Sequence, residues 1–175
     1  LGNAVAAKLD DDLVTLGESF SQTECGAGVT LLLDHIFGSM RQLRSAGAPF
    51  PYNLVLSPKQ VWGAKGLSGM LVENSSGTLA DNPISASKLS NGEVGQIAGF
   101  NVYWSDQINE NVGSGGDAAG FAMSKGAIGC AIGPEGLIRV ETERNASFRT
   151  TEYIATGFWG EIEIHDGFGV YILSD

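Results

Sequence analysis

The chain has 175 residues and a formal net charge of −10, from 10 basic and 20 acidic residues. This length suits one compact domain or two closely packed ones, with enough buried surface to fold without a metal or a disulfide. The acidic balance and the lack of any Lys/Arg run argue against strong direct DNA binding, and no apolar run is long enough for a membrane span. The two cysteines are not spaced as a CxxC motif, so we expect free thiols in a reducing compartment.

The first predicted element is an amphipathic helix over residues 1–20. Its apolar side chains recur at steps of three and four: Leu1, Val5, Leu9, Leu13, Leu16 and Phe20. Three adjacent carboxylates, Asp10–Asp12, suggest a cation site, but consecutive helical side chains point about 100° apart and do not converge. We therefore interpret them as a solvated face. Because helix-forming residues stand at the very start of the sequence, we also expect an upstream segment to be missing.

A turn-rich break at Ser21–Gly28 separates this helix from a second one. We predict that Thr30 caps the second helix at its N-terminus and that the helix runs to Ala46, where Gly47 ends it. His35 lies within this helix beside an aspartate. We interpret this single histidine as a structural residue rather than a catalytic base.

The next unit is a strand followed at once by a short helix. The strand is Tyr52–Leu56, whose apolar residues are bounded by turn signals. Ser57 and Gln60 form a capping box around Pro58, and we expect the helix to end at Gly66.

Residues 67–117 contain two loops and the clearest strand of the chain. Leu67–Asn91 is long and polar, and we interpret it as a functional or mobile loop, or as an unrecognised hairpin. In the strand, Phe100, Val102 and Trp104 alternate with other residues, so we predict that they share the buried face and that a charge at Trp104 unfolds the sheet. Asn109–Asp117 follows as a flexible glycine-rich tip, without the spacing of a phosphate-binding loop.

The last third of the sequence is predicted to be mainly β-structure. The predicted elements are a strand at Ala118–Met123, a helix at Lys125–Ile132 capped by Ser124, a half-buried strand at Leu137–Arg144, a β region at Ser147–Ile164 bent near Gly157 and Gly160, and a final strand at Gly167–Ser174. Together with the helices of the first half, this pattern indicates an α+β fold.

Candidate catalytic residues do not form a complete motif in the sequence. Ser19 lies in a segment that departs from G-x-S-x-G at its last residue, and Ser85-x-x-Lys88 lacks the companion motifs of the β-lactamase pattern. A nucleophile–base pair would have to come from the cysteines and histidines, namely Cys25, Cys130, His35 and His165. The sequence alone does not bring these residues together.

One patch has the residue types of a metal site. Glu161, Glu163 and His165 share one face of a predicted strand, although an exposed acidic sheet face explains them better. Asn74 and Asn145 fit the glycosylation sequon, which is a common chance pattern. We therefore predict no catalytic, cofactor-binding or metal site, and no enzymatic activity.

Four segments of the sequence resemble the major capsid proteins of tailed bacteriophages, which have the Hong Kong 97-type fold. They are GNAVAAKLDDDL at 2–13, YNLVLSPKQVWGAKGL at 52–67, the pattern GxIxGFxVYxSxxI at 95–108 followed by AAGFAMSKGAIGCAI, and a closing GxGVxIL at 167–173. The resemblance covers nearly all of the chain in the right order. The family's N-terminal arm and extended loop, which would precede Leu1, are the exception.

The resemblance implies two domains and a structural function. An axial domain of mixed sheet and helices is expected at residues 27–133 and 164–175, and a peripheral domain with a spine helix and a long β-arm at 1–26 and 134–163. Such a subunit is expected to assemble with copies of itself into pentamers and hexamers of an icosahedral shell that encloses DNA, with scaffolding or other head proteins as further partners. It would be found in the virion after assembly in the bacterial cytoplasm, and the two predicted loops would lie near a capsomer axis or a neighbour.

Two alternatives remain from the sequence. The same fold would serve an encapsulin-type nanocompartment shell, which differs from a viral shell in its cargo and particle size. A small β-rich binding or hydrolytic domain is the alternative from a different class, and a monomer with one deep polar pocket would favour it.

Overall fold

A computed structural model describes most of the chain, namely residues 2–63, 65–67, 95–113, 115–134, 136 and 138–175. Three sequence predictions lie outside these residues. They are the predicted loop beyond Leu67, the Ser85–Lys88 pattern and the sequon at Asn74.

The described residues form a six-stranded mixed sheet, two separate two-stranded sheets and three α-helices. The elements in chain order are α1 Gly2–Gly17, β1 Thr23–Cys25, α2 Leu33–Ser45, β2 Tyr52–Leu56, α3 Pro58–Trp62, β3 Gln96–Ile97, β4 Phe100–Trp104, β5 Ala118–Ser124, β6 Ile128–Ile132, β7 Arg139–Asn145, β8 Thr150–Thr156, β9 Trp159–Glu163 and β10 Gly169–Ser174. The large sheet has the strand order β1-β10-β5-β2-β4-β3, while β6 pairs with β9 and β7 with β8. The α+β class expected from the sequence is confirmed.

The six-stranded sheet carries the core, and a helix packs against each of its faces. One cluster joins α2 to β2 and β10 through Ile36, Leu43, Tyr52, Leu54, Leu56, Val170 and Ile172. The other cluster joins α1 to β5 through Val14, Phe20, Ala119 and Phe121. Because side chains alternate between the faces of a strand, the central strand β5 supplies residues to both clusters. Each fully buried Leu, Ile or Phe side chain contributes about 1.5–3 kcal/mol to the free energy of unfolding.

Helix α2 starts later than the sequence predicts. Its N-cap is Leu32 rather than Thr30, and the backbone N–H of Leu32 donates to Nδ1 of His35 at 3.1 Å. The preceding residue, Leu31, is fully buried and its N–H donates to the carbonyl of Lys65, which holds this stretch outside the helix. The ring of His35 therefore supports the start of the helix.

The end of α2 follows the prediction. The N–H groups of Gly47 and Ala48 donate to the carbonyls of Arg44 and Leu43 at 3.1 and 3.0 Å, the pattern of a Schellman motif. Gly47 has a φ of +75°, a conformation that glycine adopts without steric cost.

Helix α3 has the predicted capping box. The N–H of Gln60 donates to Oγ of Ser57 at 3.1 Å, and the N–H of Ser57 donates to Oε1 of Gln60 at 3.3 Å. The helix ends at Trp62 rather than at Gly66, because Gly63 already has an extended backbone.

Gln60 also joins α3 to the large sheet. Its side chain is 2% exposed, and its Nε2 donates to the carbonyl of Ala118 and to Oγ of Ser174, each at 3.0 Å. Gly120 makes room for it, since a Cβ at that position would lie 2.3 Å from Oε1 of Gln60. The buried amide is therefore satisfied by two neighbouring strands.

Two segments form strands where the sequence predicts other structure. Ser21–Gly28, predicted as a turn-rich break, contains β1, which pairs in parallel with β10. Lys125–Ile132, predicted as a helix, contains a turn followed by β6. Ser124 does not cap a helix, and its Oγ donates to the carbonyl of Pro49 at 2.7 Å. In both segments a distant partner strand, rather than the local pattern, decides the structure.

Strand β4, next to the edge strand β3, is buried over only part of its predicted face. Phe100 and Val102 are buried as predicted, but Trp104 is 53% exposed. The edge strand β3 pairs only with Phe100 and Asn101, so within the described residues Trp104 has no neighbouring strand on that side. The prediction that a charge at Trp104 unfolds the sheet is therefore wrong, because this side chain does not belong to the core.

Candidate assembly surface

The two-stranded sheet of β7 and β8 is exposed on both faces. In β7 all residues but Asn145 are exposed, and in β8 all but Ala155 and Thr156. The predicted half-burial of Leu137–Arg144 is wrong for its described strand residues, since no layer in the described part of the chain covers either face of β7. We call residues 139–156 the arm.

The cross-strand register separates the arm into two chemically different faces. Residues that pair across an antiparallel ladder point to the same side. Glu141 pairs with Ile154 and Glu143 with Glu152, and we call the surface that they form the acidic face. The opposite face carries Val140, Thr142, Arg144, Thr151, Tyr153 and Ala155.

The loop between the two strands, residues 145–149, forms the tip of the arm. The side-chain oxygen of Asn145 accepts hydrogen bonds from the N–H groups of Ser147 and Phe148 at 3.2 and 3.4 Å. This Asx-type turn projects Phe148, which is 77% exposed. Arg149 completes the turn with a φ of +52°, so its backbone is in the left-handed region. Asn145 of the predicted sequon thus organises a turn.

The sheet of β6 and β9 has a second uncovered surface. Its outer face presents Phe158, Ile162 and Ile164, and Ile162 is 65% exposed. A Cβ at Gly129, in the neighbouring strand, would lie 2.7 Å from Cδ1 of Ile164, so the glycine makes room for this side chain. The result is an apolar strip beside the base of the arm.

The other face of this sheet is joined to α1. Nε1 of Trp159 donates to the carboxylate of Asp12 at 3.2 Å, and Lys8 forms ion pairs with Asp11 and Asp12 on the solvent side. The hydrogen bond from Lys8, followed by that from Trp159, lowers the pKa of Asp12. Asp10 accepts a hydrogen bond from Oγ of Ser105 at 2.7 Å. Asp11 and Asp12 thus share Lys8, while Asp10 binds Ser105, and the predicted α1 is confirmed over Gly2–Gly17.

The residues considered for catalysis have contacts of a structural kind. Burial raises the pKa of the Cys25 thiol, which donates weakly to the carbonyl of Val29. Cys130 is exposed on β6, and the ring of His165 packs against Phe168 with 4.8 Å between ring centroids.

The predicted acidic patch on β9 is not assembled as a metal site. Glu161 and Glu163 lie opposite Cys130 and Ile128, and His165 follows the strand, with its N–H donating to a backbone carbonyl. Among the described residues no group of three His, Cys, Asp or Glu side chains is placed to hold a metal ion.

A shallow depression lies beside α2 and β1. It has a volume of about 280 Å³ and is lined by Glu24, Asp34, His35, Phe37, Gly38 and Arg41. Arg41 lies 3.7 Å from the carboxylate of Glu24, which also accepts a hydrogen bond from Gln42. Glu24 and Arg41 of this lining are therefore engaged in contacts within the subunit.

The glycine-rich segment Asn109–Asp117 is held against the body of the subunit. The N–H of Asn109 donates to Glu18 of the loop after α1, and Asp117 accepts from the N–H of Gly28. Glu110 accepts from the N–H of Lys59 at the start of α3. Its described residues therefore do not form the free, flexible tip that the sequence predicts.

We compared the chain with known proteins by sequence and by fold. No protein-family model and no curated protein matches the sequence. A solved chain of Mycobacterium phage Che8 is 15% identical with a TM-score of 0.74, and the match covers 98% of this chain and 60% of that one. The capsid structure of the cyanophage P-SCSP1u gives 13% identity and a TM-score of 0.66 over 100% of this chain and 64% of that one. The chain has a phage capsid fold.

The fold expected from the four resembling segments is thereby confirmed. The chain spans about three-fifths of the length of the solved chains that it matches. Within this capsid fold, the large sheet provides the folded body, while the arm and the strip beside it lie outside that body.

The arm is the feature that sequence reasoning places least well. The sequence predicts its two β regions on either side of residues 145–146, so the turn itself is visible from the pattern. Its exposure and the separation of charge between its faces depend on the register and on the absence of a covering layer, which the sequence does not specify.

Proposed function

We propose that the chain is a structural subunit of a phage head, which assembles with copies of itself into a closed icosahedral shell around DNA. The single observation that carries this proposal is the uncovered arm on a phage capsid fold. Its function is binding between subunits, and no residue is assigned a catalytic role.

An exposed two-stranded sheet is a physical reason for assembly. A hairpin without a covering layer is marginally stable in water, so a partner surface stabilises it. The adjoining strip of Phe158, Ile162 and Ile164 adds apolar area, and exposed apolar patches of this kind mark protein interfaces. A second copy of the chain covers both if the contacts repeat by symmetry.

The proposed arrangement follows the capsid fold. Axial regions form pentamers and hexamers, with the segments Leu67–Asn91 and Asn109–Asp117 near a capsomer axis or a neighbour, and arms meet other subunits away from the axis. The division into an axial domain at 27–133 and 164–175 and a peripheral domain at 1–26 and 134–163 belongs to the same proposal. Scaffolding or other head proteins are further proposed partners.

We place assembly in the bacterial cytoplasm and the product in the virion. Within the described residues, no helix combines the length and the apolar character needed to cross a membrane. Copies of the subunit are the proposed cover for its exposed apolar surfaces.

Electron microscopy of the product of the whole gene tests the proposal. The expected result is closed icosahedral particles or capsomer rings. A product that stays monomeric at every concentration contradicts the proposal. Particles that enclose a protein cargo instead of DNA assign the same fold to a nanocompartment.

A further inference from the structure

The basic residues of this acidic chain are mostly neutralised within the subunit. Five of them form ion pairs with carboxylates: Lys8, Arg41, Lys59, Lys65 and Arg139. Arg44 lies over the ring of Phe50 at 5.2 Å. Among the described residues, Lys125, Arg144 and Arg149 have neither an ion pair nor a ring contact. Two of these three cations lie at the tip of the arm: Arg149 is in the loop, and Arg144 directly precedes it.

The acidic face of the same arm carries carboxylates that lack a cationic partner among the described residues. Glu143 lies directly across the ladder from Glu152, and like charges in this position destabilise a sheet. Glu141 on the same face is paired with Arg139 at 2.9 Å, but neither Glu143 nor Glu152 has an ion pair within the described part of the chain. This pair of carboxylates is therefore a local electrostatic cost in the isolated subunit.

We propose that the tip of the arm in one copy docks on the acidic face of the arm in a second copy. Arg144 and Arg149 of the first copy lie against Glu143 and Glu152 of the second, and Phe148 packs on Ile154. The occupant is inferred from charge complementarity on the two uncovered surfaces. This inference rests on the proposed function, because it names which surfaces of the shell subunit meet.

In this contact, apolar groups of the tip face apolar groups of the acidic face, and cations face carboxylates. Phe148 is 77% exposed at the tip, and Ile154 is 46% exposed on the same face as Glu143 and Glu152. A guanidinium binds carboxylates with two parallel hydrogen bonds, which suits a pair of glutamates on neighbouring strands. Docking relieves the repulsion between the two glutamates and covers both apolar side chains.

The contact is directional, since the tip and the acidic face are different surfaces of one element. Such heterologous contacts close into rings when the rotation between copies fits. Strands of seven residues extend the arm by roughly 20 Å, so neighbouring bodies meet without overlapping. Arms arranged tip-on-face would thus link subunits in small closed groups.

Charge reversal and its rescue test the contact in the full-length protein. Arg149→Glu and Glu152→Arg are each expected to raise the protein concentration needed for assembly at least about tenfold, because each places like charges in contact. The double variant Arg149→Glu/Glu152→Arg is expected to restore assembly, since the pair is exchanged rather than lost. Raising the salt concentration should also raise the protein concentration that the wild type needs for assembly, because salt screens the contact between the charges.

Lys125→Glu is the matched control. It reverses another unpaired cation, at the turn between β5 and β6, and is expected to leave the assembly concentration unchanged. Thermal melting of each unassembled variant separates loss of folding from loss of contact, and the melting temperatures are expected to stay close to the wild type.

Four outcomes overturn the inference. Single variants that assemble like the wild type, or a double variant worse than either single, contradict the docking while the shell proposal stands. Shells in normal yield that hold less DNA in Arg149→Glu would assign the tip to nucleic acid instead. A wild-type chain that never assembles contradicts both proposals together.

Discussion

The six-stranded sheet and the arm differ in how far their faces are buried. The large sheet has a helix on each face and its central strand β5 is almost wholly buried. In the arm, β7 is exposed on both faces, and no layer among the described residues covers it. One region is therefore stabilised by packing within the chain, and the other is the surface that we propose a second copy covers.

Because of this difference, mutations can be chosen that change either the stability of the subunit or the contact between subunits, but not both. Changes in the sheet should alter the free energy of unfolding of the subunit, whereas changes in the arm should alter contact between subunits. Measuring unfolding and assembly on the same variants tests that separation directly.

The largest effect on stability is expected from Phe100→Ala in β4. Phe100 is fully buried, and removal of a buried phenyl ring costs about 3–5 kcal/mol of unfolding free energy. Trp104→Ala is the matched control, because it removes an aromatic ring from the same strand at an exposed position. Urea unfolding should place the two variants far apart. Equal losses would mean that Trp104 belongs to the core after all.

A smaller effect is expected from Gln60→Ala. The change removes the amide that binds the buried carbonyl of Ala118 and the buried hydroxyl of Ser174. Leaving such groups unsatisfied lowers the free energy of unfolding by about 1–3 kcal/mol. Urea unfolding measures the loss, with Gln96→Ala as the control, because the Gln96 amide lies on an exposed side chain and binds only the neighbouring Asn101 side chain. A loss no greater than that of the control would show that Gln60 does not hold α3 on the sheet.

Acid should loosen the contact of α1 with β9. The pKa of Asp12 is lowered in the folded chain by Lys8 and Trp159, so its contribution is complete above the ordinary Asp pKa and is lost as the pH falls through the folded value. Thermal melting between pH 6 and pH 2 (the ordinary Asp pKa is about 3.9) should show a shallower acid decline in Asp12→Asn. Asp11→Asn, which changes a neighbouring ion pair of Lys8, is the control. Identical slopes in all three proteins would contradict this role of Asp12.

The smallest effect on the subunit is expected from Tyr153→Ala in the arm. Tyr153 is 61% exposed, and exposed substitutions of this kind change the unfolding free energy by less than about 0.5 kcal/mol. Particle yield by light scattering should nevertheless fall, because the ring is part of the surface that we propose a neighbouring copy covers. A large loss of subunit stability would show that the arm is packed within its own chain.

Local signals in the sequence specify the parts of the fold that depend on neighbouring residues. Ser57 and Gln60 predict their capping box correctly, and Gly47 predicts the end of α2, because both features are completed within a few residues. The alternation in Tyr52–Leu56 likewise predicts its strand. The sequence resemblance adds the overall capsid fold, which the structure confirms.

The sequence predicts the wrong secondary structure where pairing with a strand distant in sequence determines it. Thr23–Cys25 is too short for a periodic pattern and becomes a strand through its pairing with β10. Ile128–Ile132 consists of small and apolar residues that suit a helix or a strand, and its pairing with β9 selects the strand. The charges of the arm are present in the sequence, but only the register places Glu143 opposite Glu152.

The arm leaves and rejoins the subunit at neighbouring points. Ile132, the last residue of β6, pairs with Trp159, the first residue of β9, and the whole of 133–158 is inserted between them. A short turn between these two residues would close the β6–β9 ladder without disturbing any strand of the large sheet. The segment that carries the arm is therefore an exchangeable part: it can be lengthened, shortened or replaced by mutation while the residues of the core keep their sequence.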